Sequence, residues 1–365
     1  MAWFEQHGDG YRVRYRHAGK VITDSTHPKL NTARLRVAQL HAIQAKLASV
    51  AVGTVPTVQQ WADVWLPKHL CSPVTRDKYT SMVNTHILPA FGDEPLTAID
   101  KLRVEEFAGV LLTKMAPTSA RTVVTLLGTM IRDAVDAHYA VSDPTARLRI
   151  AGGPLPQRPV ATPAQVWQVA CRMPTMCMLV LVVTAAYTGM RFQELTALDR
   201  SNVHLGDAVL KVDEFAGALH FSSAGTWLGP PKTDESARTI DLPPFLVHGL
   251  GLVLAGHDEP TVFCTPSGGW LDPADFRNRM WDPACNGDRR IGWEPIIAGM
   301  RLGDLRHTHR TWMDDDNIRE VLAAKRLGHL LPDIRKRYGN VVTPRMRTKL
   351  IKKLEKRWQA SGAVW

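Results

Sequence analysis

Apolar and polar residues alternate with period two over Tyr11-Arg12-Val13-Arg14-Tyr15-Arg16, and Val21-Ile22-Thr23 follows after Ala18-Gly19-Lys20. Successive strand side chains point to opposite sides, so this predicts a small hairpin with one basic face. The period then changes. Leu35, Val37, Leu40, Ile43 and Leu47 recur at helical spacing and predict a helix over about 32–48. So small a sheet needs that helix to cover it. Gly53–Pro56 closes a small α+β N-terminal domain over residues 1–55.

From 56 to 150 the helical period dominates. Thr57 is placed to cap a helix carrying Trp61, Val64 and Trp65, and Tyr79, Met82, Val83 and Ile87 stripe a second over 75–87. Leu96–Ile99 is a connector before helices over 104–114 and 119–139, the latter with Val123, Leu126, Met130, Ile131 and Val135. This predicts an all-α bundle of four or five helices. The Pro- and Gly-rich stretch 151–160 predicts a linker. Beyond it, helices are expected over 162–172, 175–188, 191–197, 273–280, 307–315 and 317–325, with strands at 208–212 and 239–242 around a turn-rich segment. Residues 161–343 are therefore expected to form a mainly α, α+β domain. In the tail, 344–365, Met346, Leu350, Ile351, Leu354 and Trp358 lie at helical spacing on a strongly basic helix. The longest apolar run, ending at Tyr187, is too short to span a bilayer and fits a buried core helix.

Composition adds a partner. The 365 residues carry 45 Lys and Arg against 35 Asp and Glu, a formal net charge of +10. The excess sits at the two ends: +5 over residues 1–56, +6 over 341–365, and −1 in between. Charge clustered in this way suggests an anionic polymer, since each neutralised phosphate releases counterions; ordinary solubility decoration is the bland alternative. An apolar content of 45% is wrong for a disordered chain. Five cysteines without a CxxC argue for a reducing compartment and against a disulfide or Cys-rich metal framework. The first residues lack an apolar signal core, so a cytoplasmic protein is expected and a membrane protein is not.

Neither a Gly-rich phosphate loop before a helix, nor HExxH, nor GxSxG occurs. Four segments stand out instead: Thr188-Gly189-Met190-Arg191-Phe192-Gln193-Glu194-Leu195, Pro231-Lys232-Thr233, Leu305-Arg306-His307-Thr308, and Leu327-Gly328-His329 with Tyr338 nine residues on. Singly, each has an ordinary explanation: a surface ion pair for Arg191, a solvated turn for Lys232, a cap for His329, a half-buried aromatic for Tyr338. In this order and spacing the set resembles the tyrosine recombinase (phage integrase) family, and within it the multidomain integrases of actinobacterial phages and integrative plasmids.

The resemblance implies an arm-type DNA-binding domain at 1–55, a helical, SAM-like core-binding domain at 56–150, a catalytic domain at 161–343, and a tail helix in 344–365. It implies Arg191 and Arg306 as catalytic arginines, Glu194 as the buttress of Arg191, Lys232 as the β-hairpin lysine (with Lys211 a rival), His329 as a catalytic histidine and Tyr338 as nucleophile. Arg12, Arg14, Arg16 and Lys20 are the expected arm-DNA contacts. The implied reaction cleaves and rejoins double-stranded DNA at core and arm attachment sites through a 3′-phosphotyrosyl link and a Holliday junction. The protein would act as a dimer on a site and a tetramer in synapsis, in a bacterial nucleoid, with a directionality factor and a host DNA-bending protein as further partners. Neither metal nor other cofactor is implied.

The chemistry suits the residues. Guanidinium groups stay charged and match phosphoryl oxygens, cations favour phenolate over phenol, and a flexible lysine can protonate the leaving oxygen. One departure stands against this. The family's box before the second arginine opens with His or Lys, whereas this chain has Gly303, which cannot move a proton, with His307 nearby in sequence. The alternative is thus a DNA-binding architectural or regulatory homologue with weak or no catalysis. The tail helix can pack on its own chain or, as in the resembling family, into a neighbouring protomer.

Overall fold

A computed structural model describes residues 2–17, 20–50, 55–140, 142–153, 157–330 and 341–365, without the side chains of 17, 20 and 42–50. The chain divides into two units, Met1–Leu155 and Pro156–Trp365.

In the first unit β1 (Ala2–His7), β2 (Gly10–His17) and β3 (Lys20–His27) form an antiparallel sheet in that order, followed by α1 (Leu30–Val50). Ala33 and Leu40 of α1 pack on Ala2 and Val13. The sheet has one strand more than the alternation predicts. β1 runs from apolar to polar without alternating, and pairing makes it a strand, with Trp3 opposite Arg14 and Glu5 opposite Arg12.

The same unit continues with α2 (Val58–Lys68), α3 (Pro73–Met82), a π-helical turn at Val83–Ile87, α4 (Leu88–Phe91), α5 (Lys101–Lys114) and α6 (Pro117–Asp136). Thr57 starts α2 through a capping box: its hydroxyl accepts from Gln60 N at 3.2 Å, and Gln60 Oε1 accepts from Thr57 N at 3.0 Å. Trp61 is buried, and its Nε1 donates to Met130 O at 2.9 Å, tying α2 to α6.

The second unit runs α7 (Pro163–Cys171), α8 (Met176–Thr188), α9 (Phe192–Thr196), β4 (Val203–His204), β5 (Val209–Val212), β6 (Ala218–Ser222), β7 (Gly225–Gly229), β8 (Arg238–Asp241) and α10 (Pro244–Gly256). It continues with α11 (Pro273–Asp275), a π-helical turn at Phe276–Trp281, α12 (Asp282–Asn286), α13 (Asp304–Asp315), α14 (Glu320–Leu327) and α15 (Pro344–Ala360). β4, β5 and β8 form one antiparallel sheet, and β6 and β7 a separate hairpin. Every residue of α8 from Val180 to Thr188 is buried, as its apolar run predicts for a central helix.

One difference from expectation has a physical reason. α10 is not predicted, because Pro243, Pro244 and three glycines read as helix breakers. Gly249 is there for packing: a Cβ would lie 2.5 Å from Cζ2 of Trp365. Of the two placements open to the tail, this chain shows the first: α15 docks on its own chain. Leu350, Leu354 and Trp358 are buried in the core of the second unit, and Trp358 stacks on Phe245 with ring centroids 4.3 Å apart. Arg357 Nε meets Asp316 at 2.7 Å and Arg347 Nη1 meets Asp241 at 3.0 Å. The apolar stripe and both flanking cations thus find partners within the chain. Among the described residues, no helix is long and apolar enough to cross a membrane.

Candidate functional site: an arginine cage

Two helix ends and one helix start converge in the second unit. α8 ends at Gly189, which adopts φ +69°, and a Cβ there would lie 2.5 Å from Cδ2 of Leu327. Only glycine meets both demands. The chain then turns so that Arg191 is the N-cap of α9 and Glu194 stands at its third position. α14 ends in the same way at Gly328, φ +63°, where a Cβ would lie 2.7 Å from Glu235 O, and His329 follows. Between them the first turn of α13 presents Arg306.

Hydrogen bonds fix these side chains. Arg191 Nη1 donates to Glu194 Oε1 at 2.6 Å and to Ser236 Oγ at 3.1 Å, while Glu194 Oε2 accepts from Arg191 N at 3.1 Å. Arg238 Nη2 donates to the same Oε2 at 2.8 Å, and its Nε donates to Arg326 O at 2.7 Å. Arg306 Nη1 donates to Gly189 O at 2.7 Å, and its Nη2 donates to Leu327 O and, at 2.8 Å, to His329. A guanidinium only donates, so His329 Nε2 is the acceptor and the ring proton sits on Nδ1.

The electrostatics leave a surplus of positive charge. Burial alone would raise the Glu194 carboxyl, but the charge and hydrogen bond of Arg238, then the Arg191 backbone and charge, hold it below the usual carboxylate range. Arg306 is pushed down to about 9, first by burial and next by the charges of Arg191 and Arg238. It stays protonated at neutral pH, and the neighbouring charges of Arg191 and Arg238 make the site favourable to an anion. His329 is held below the ordinary histidine range by desolvation, then by Arg306, Arg191, Arg310 and Arg238. It is therefore a neutral ring beside fixed cations. Two guanidiniums on one carboxylate, with the Arg306 guanidinium as a third cation nearby, can bind a phosphodiester and stabilise charge that develops on it.

Of the residues expected from sequence, Arg191, Glu194, Arg306 and His329 come together. Lys232 is exposed in the loop between β7 and β8, which Ser236 and Arg238 anchor to Arg191 and Glu194. Lys211, its rival, lies on β5 opposite Thr239. Gly303 is the N-cap of α13 with φ −61°, and a Cβ there would meet nothing within 4 Å. His307 is exposed on α13. Tyr338 lies outside the described residues, as does the side chain of Lys20. Arg12, Arg14 and Arg16 share the face of β2 opposite Tyr11, Val13 and Tyr15, which pack toward α1. Arg12 bonds His7, and Arg14 pairs with Glu5 at 3.1 Å. Among the described residues, no cluster of three or more His, Cys, Asp or Glu could hold a metal ion.

Sequence reasoning missed Ser236, Arg238 and Arg326, and the buried role of His309. Buried Arg326 donates to His309 Nε2 at 2.9 Å, Asp241 O at 2.9 Å and Tyr187 O at 2.8 Å, pinning α14 to α13, β8 and α8. The signal available was Arg238 opening a strand and Arg326 preceding Leu327-Gly328-His329, but neither spacing reveals a partner.

This fold, a small sheet-containing helical unit whose glycine-capped helices gather arginines, resembles that of solved integrases. It matches the Tn1549 transposon integrase, solved with a circular intermediate DNA, at a TM-score of 0.66 and 15% identity, covering 82% of this chain and 99% of that one. It also matches a lambda integrase dimer bound to a COC′ core site, at a TM-score of 0.58 and 17% identity over 93% of this chain and 96% of that one. Residues 58–151 match the phage integrase central domain. The prophage phiRv2 integrase of Mycobacterium tuberculosis, found in two strains, is 26% identical over 297 residues, which is 79% of this chain and 75% of the relative. The chain is thus similar to phage integrases, by sequence in its central domain and in fold over most of its length.

Proposed function

We propose that this protein is a site-specific DNA recombinase that integrates or excises a mobile element. The observation that carries the proposal is the cage itself: Arg191 and Arg238 share the Glu194 carboxylate, and Arg306 stands beside them as a third cation, so positive charge exceeds negative. In the proposed step Arg191 and Arg306 hold the non-bridging oxygens, and the Tyr338 phenolate attacks phosphorus. The P–O5′ bond breaks, a 3′-phosphotyrosyl bond forms, and the departing 5′-oxygen takes a proton from Lys232. Neutral His329 keeps Arg306 aimed and donates from Nδ1. Attack by a 5′-hydroxyl of the partner strand reverses these bonds, so the ester's energy is conserved. The lambda integrase structures include a tetramer bound to a Holliday junction. We extend that assembly to this chain, as a dimer on each core site and a tetramer in synapsis. Domains at 1–55, 56–150 and 161–343 would serve arm binding, core binding and catalysis, and Arg12, Arg14 and Arg16 would meet arm DNA.

Gly303 supports a second reading, binding without efficient cleavage. A nicked attachment-site duplex separates the two. The recombinase traps a covalent protein–DNA band on denaturing electrophoresis, which Tyr338→Phe abolishes; absence of the band under all conditions establishes the binding-only reading. Because the space beside Gly303 is open, Gly303→His is expected to cleave faster in the same assay. Equal rates would remove Gly303 as a handicap.

A further inference from the structure

α15 carries a feature that the cage does not use. Arg345, Lys349, Lys352 and Lys356 recur at intervals of four, three and four residues and are exposed, with Thr348 and half-buried Lys353 beside them. Such spacing places them in one row along the helix, a ridge of about 16 Å at 1.5 Å per residue. The opposite face is fixed, because Leu350, Leu354 and Trp358 are 0%, 1% and 6% exposed. Glu355, the helix's acid, turns toward α10, where its Oε2 accepts from Phe245 N at 3.4 Å. Lys349 leans on Asn317 O at 2.9 Å, and Lys353 lies 3.9 Å from Asp316. Among the described residues, Arg345, Lys352 and Lys356 have no ion-pair partner.

We propose that this ridge is a second contact for duplex DNA, gripping the phosphate backbone away from the arginine cage. The inference rests on the recombinase reading. Its location follows from α13. Arg306 lies in the first turn of that helix, whereas the Lys349–Lys356 part of the ridge meets its far end, where Lys349 reaches Asn317 O, Lys353 lies 3.9 Å from Asp316 and the neighbouring Arg357 pairs with Asp316. Ten residues of helix put about 15 Å between those levels, so the ridge and the cage hold different phosphates. The ridge fits duplex DNA better than other polyanions. A membrane would require a free apolar face, and that face is buried in the core. An acidic peptide would require an apolar anchor, and the row offers none. A duplex presents one charge per roughly 1.7 Å of its axis, so a stiff row of cations meets several phosphates at once.

The test measures binding of the full chain to a long mixed-sequence duplex by fluorescence anisotropy across a potassium chloride series. Lys352→Ala/Lys353→Ala/Lys356→Ala is expected to weaken binding about tenfold at moderate salt and to flatten the slope of log K against log salt by roughly 2 to 3. The double variant Lys352→Ala/Lys356→Ala, whose two side chains stand outside the core, carries the same expectation with a drop of about 2. Replacing the three lysines by arginine is expected to retain the wild-type slope, and matched thermal midpoints establish that the fold is kept. Wild-type affinity and slope in both alanine variants would overturn the ridge. If the wild-type chain itself showed no salt-dependent binding, the recombinase reading would fall with it.

Discussion

His309 shows what a single buried side chain can impose. It is fully buried on α13, and its Nε2 accepts from Arg326 Nε. Burial first, then the charge of Arg326, with Arg306 and Arg357 adding to it and the Ala186 carbonyl opposing, hold it well below the ordinary histidine range. The unfolded chain takes up a proton from about pH 6.5 downward and the folded chain does not, so folding is favoured fully above that pH. Stability is then lost as pH falls, by at most about 1.4 kcal/mol per pH unit from this residue. His329 acts in the same direction from a more exposed position. Glu194, also depressed, starts to cost stability only near the unfolded carboxyl range of about 4.3, leaving pH 5 to 6.5 to the histidines. Urea unfolding at pH 8, 6.5 and 5 should show this slope, and His309→Gln, which keeps an acceptor for Arg326, should reduce it. An unchanged slope in the variant would assign the loss elsewhere. At this scale the legible residues were those inside contiguous motifs, such as Arg191 with Glu194 three residues on. Arg238 and Arg326 escaped because their partners lie 44 and 139 residues away in Glu194 and Tyr187, and no local spacing encodes such a contact.

At the scale of elements, periodicity found the helices that bury one stripe and failed where composition imitates a loop. α6 and α15 alternate apolar and polar faces clearly. α10 does not, since its glycines serve neighbours: Gly249 leaves space for Trp365. β1 is likewise defined by its partner strand. The stripe on α15 was visible, but a stripe says only that something covers it. Within this chain the cover is the ring stack of Trp358 on Phe245 and Trp365 and the edge contact with Trp167. Trp358→Ala is accordingly expected to cost about 3–5 kcal/mol in the second unit, the range for a large buried aromatic. Tail packing within one chain makes that cost independent of protein concentration, whereas a tail exchanged between protomers would make stability rise with concentration. Denaturant titrations of wild type and variant over a wide concentration range decide between the two.

At the scale of the whole molecule, each described core stays within one unit. Among the described residues, the core built on Trp61, Phe91 and Leu127 draws only on residues of the first unit, as does the small core around Val13. The core built on Leu181, Tyr187 and Trp312 draws only on the second, α15 included. A core that takes nothing from the other unit needs nothing from it to fold. Fragments 1–153 and 157–365 should therefore each fold alone, with cooperative unfolding by circular dichroism. The intact chain should unfold in urea through two transitions rather than one, each with a slope set by the surface its own unit exposes. The Pro- and Gly-rich composition of 151–160 points to the same division, and the division at Leu155 and Pro156 falls within it. The charge is divided too, because one basic segment belongs to each unit. Each fragment should thus retain a salt-dependent affinity for DNA, weaker than that of the intact chain, which gains from linking two sites. A 157–365 fragment that is unfolded in isolation, with α15 present, would refute the independence of the cores and require the first unit as part of its fold.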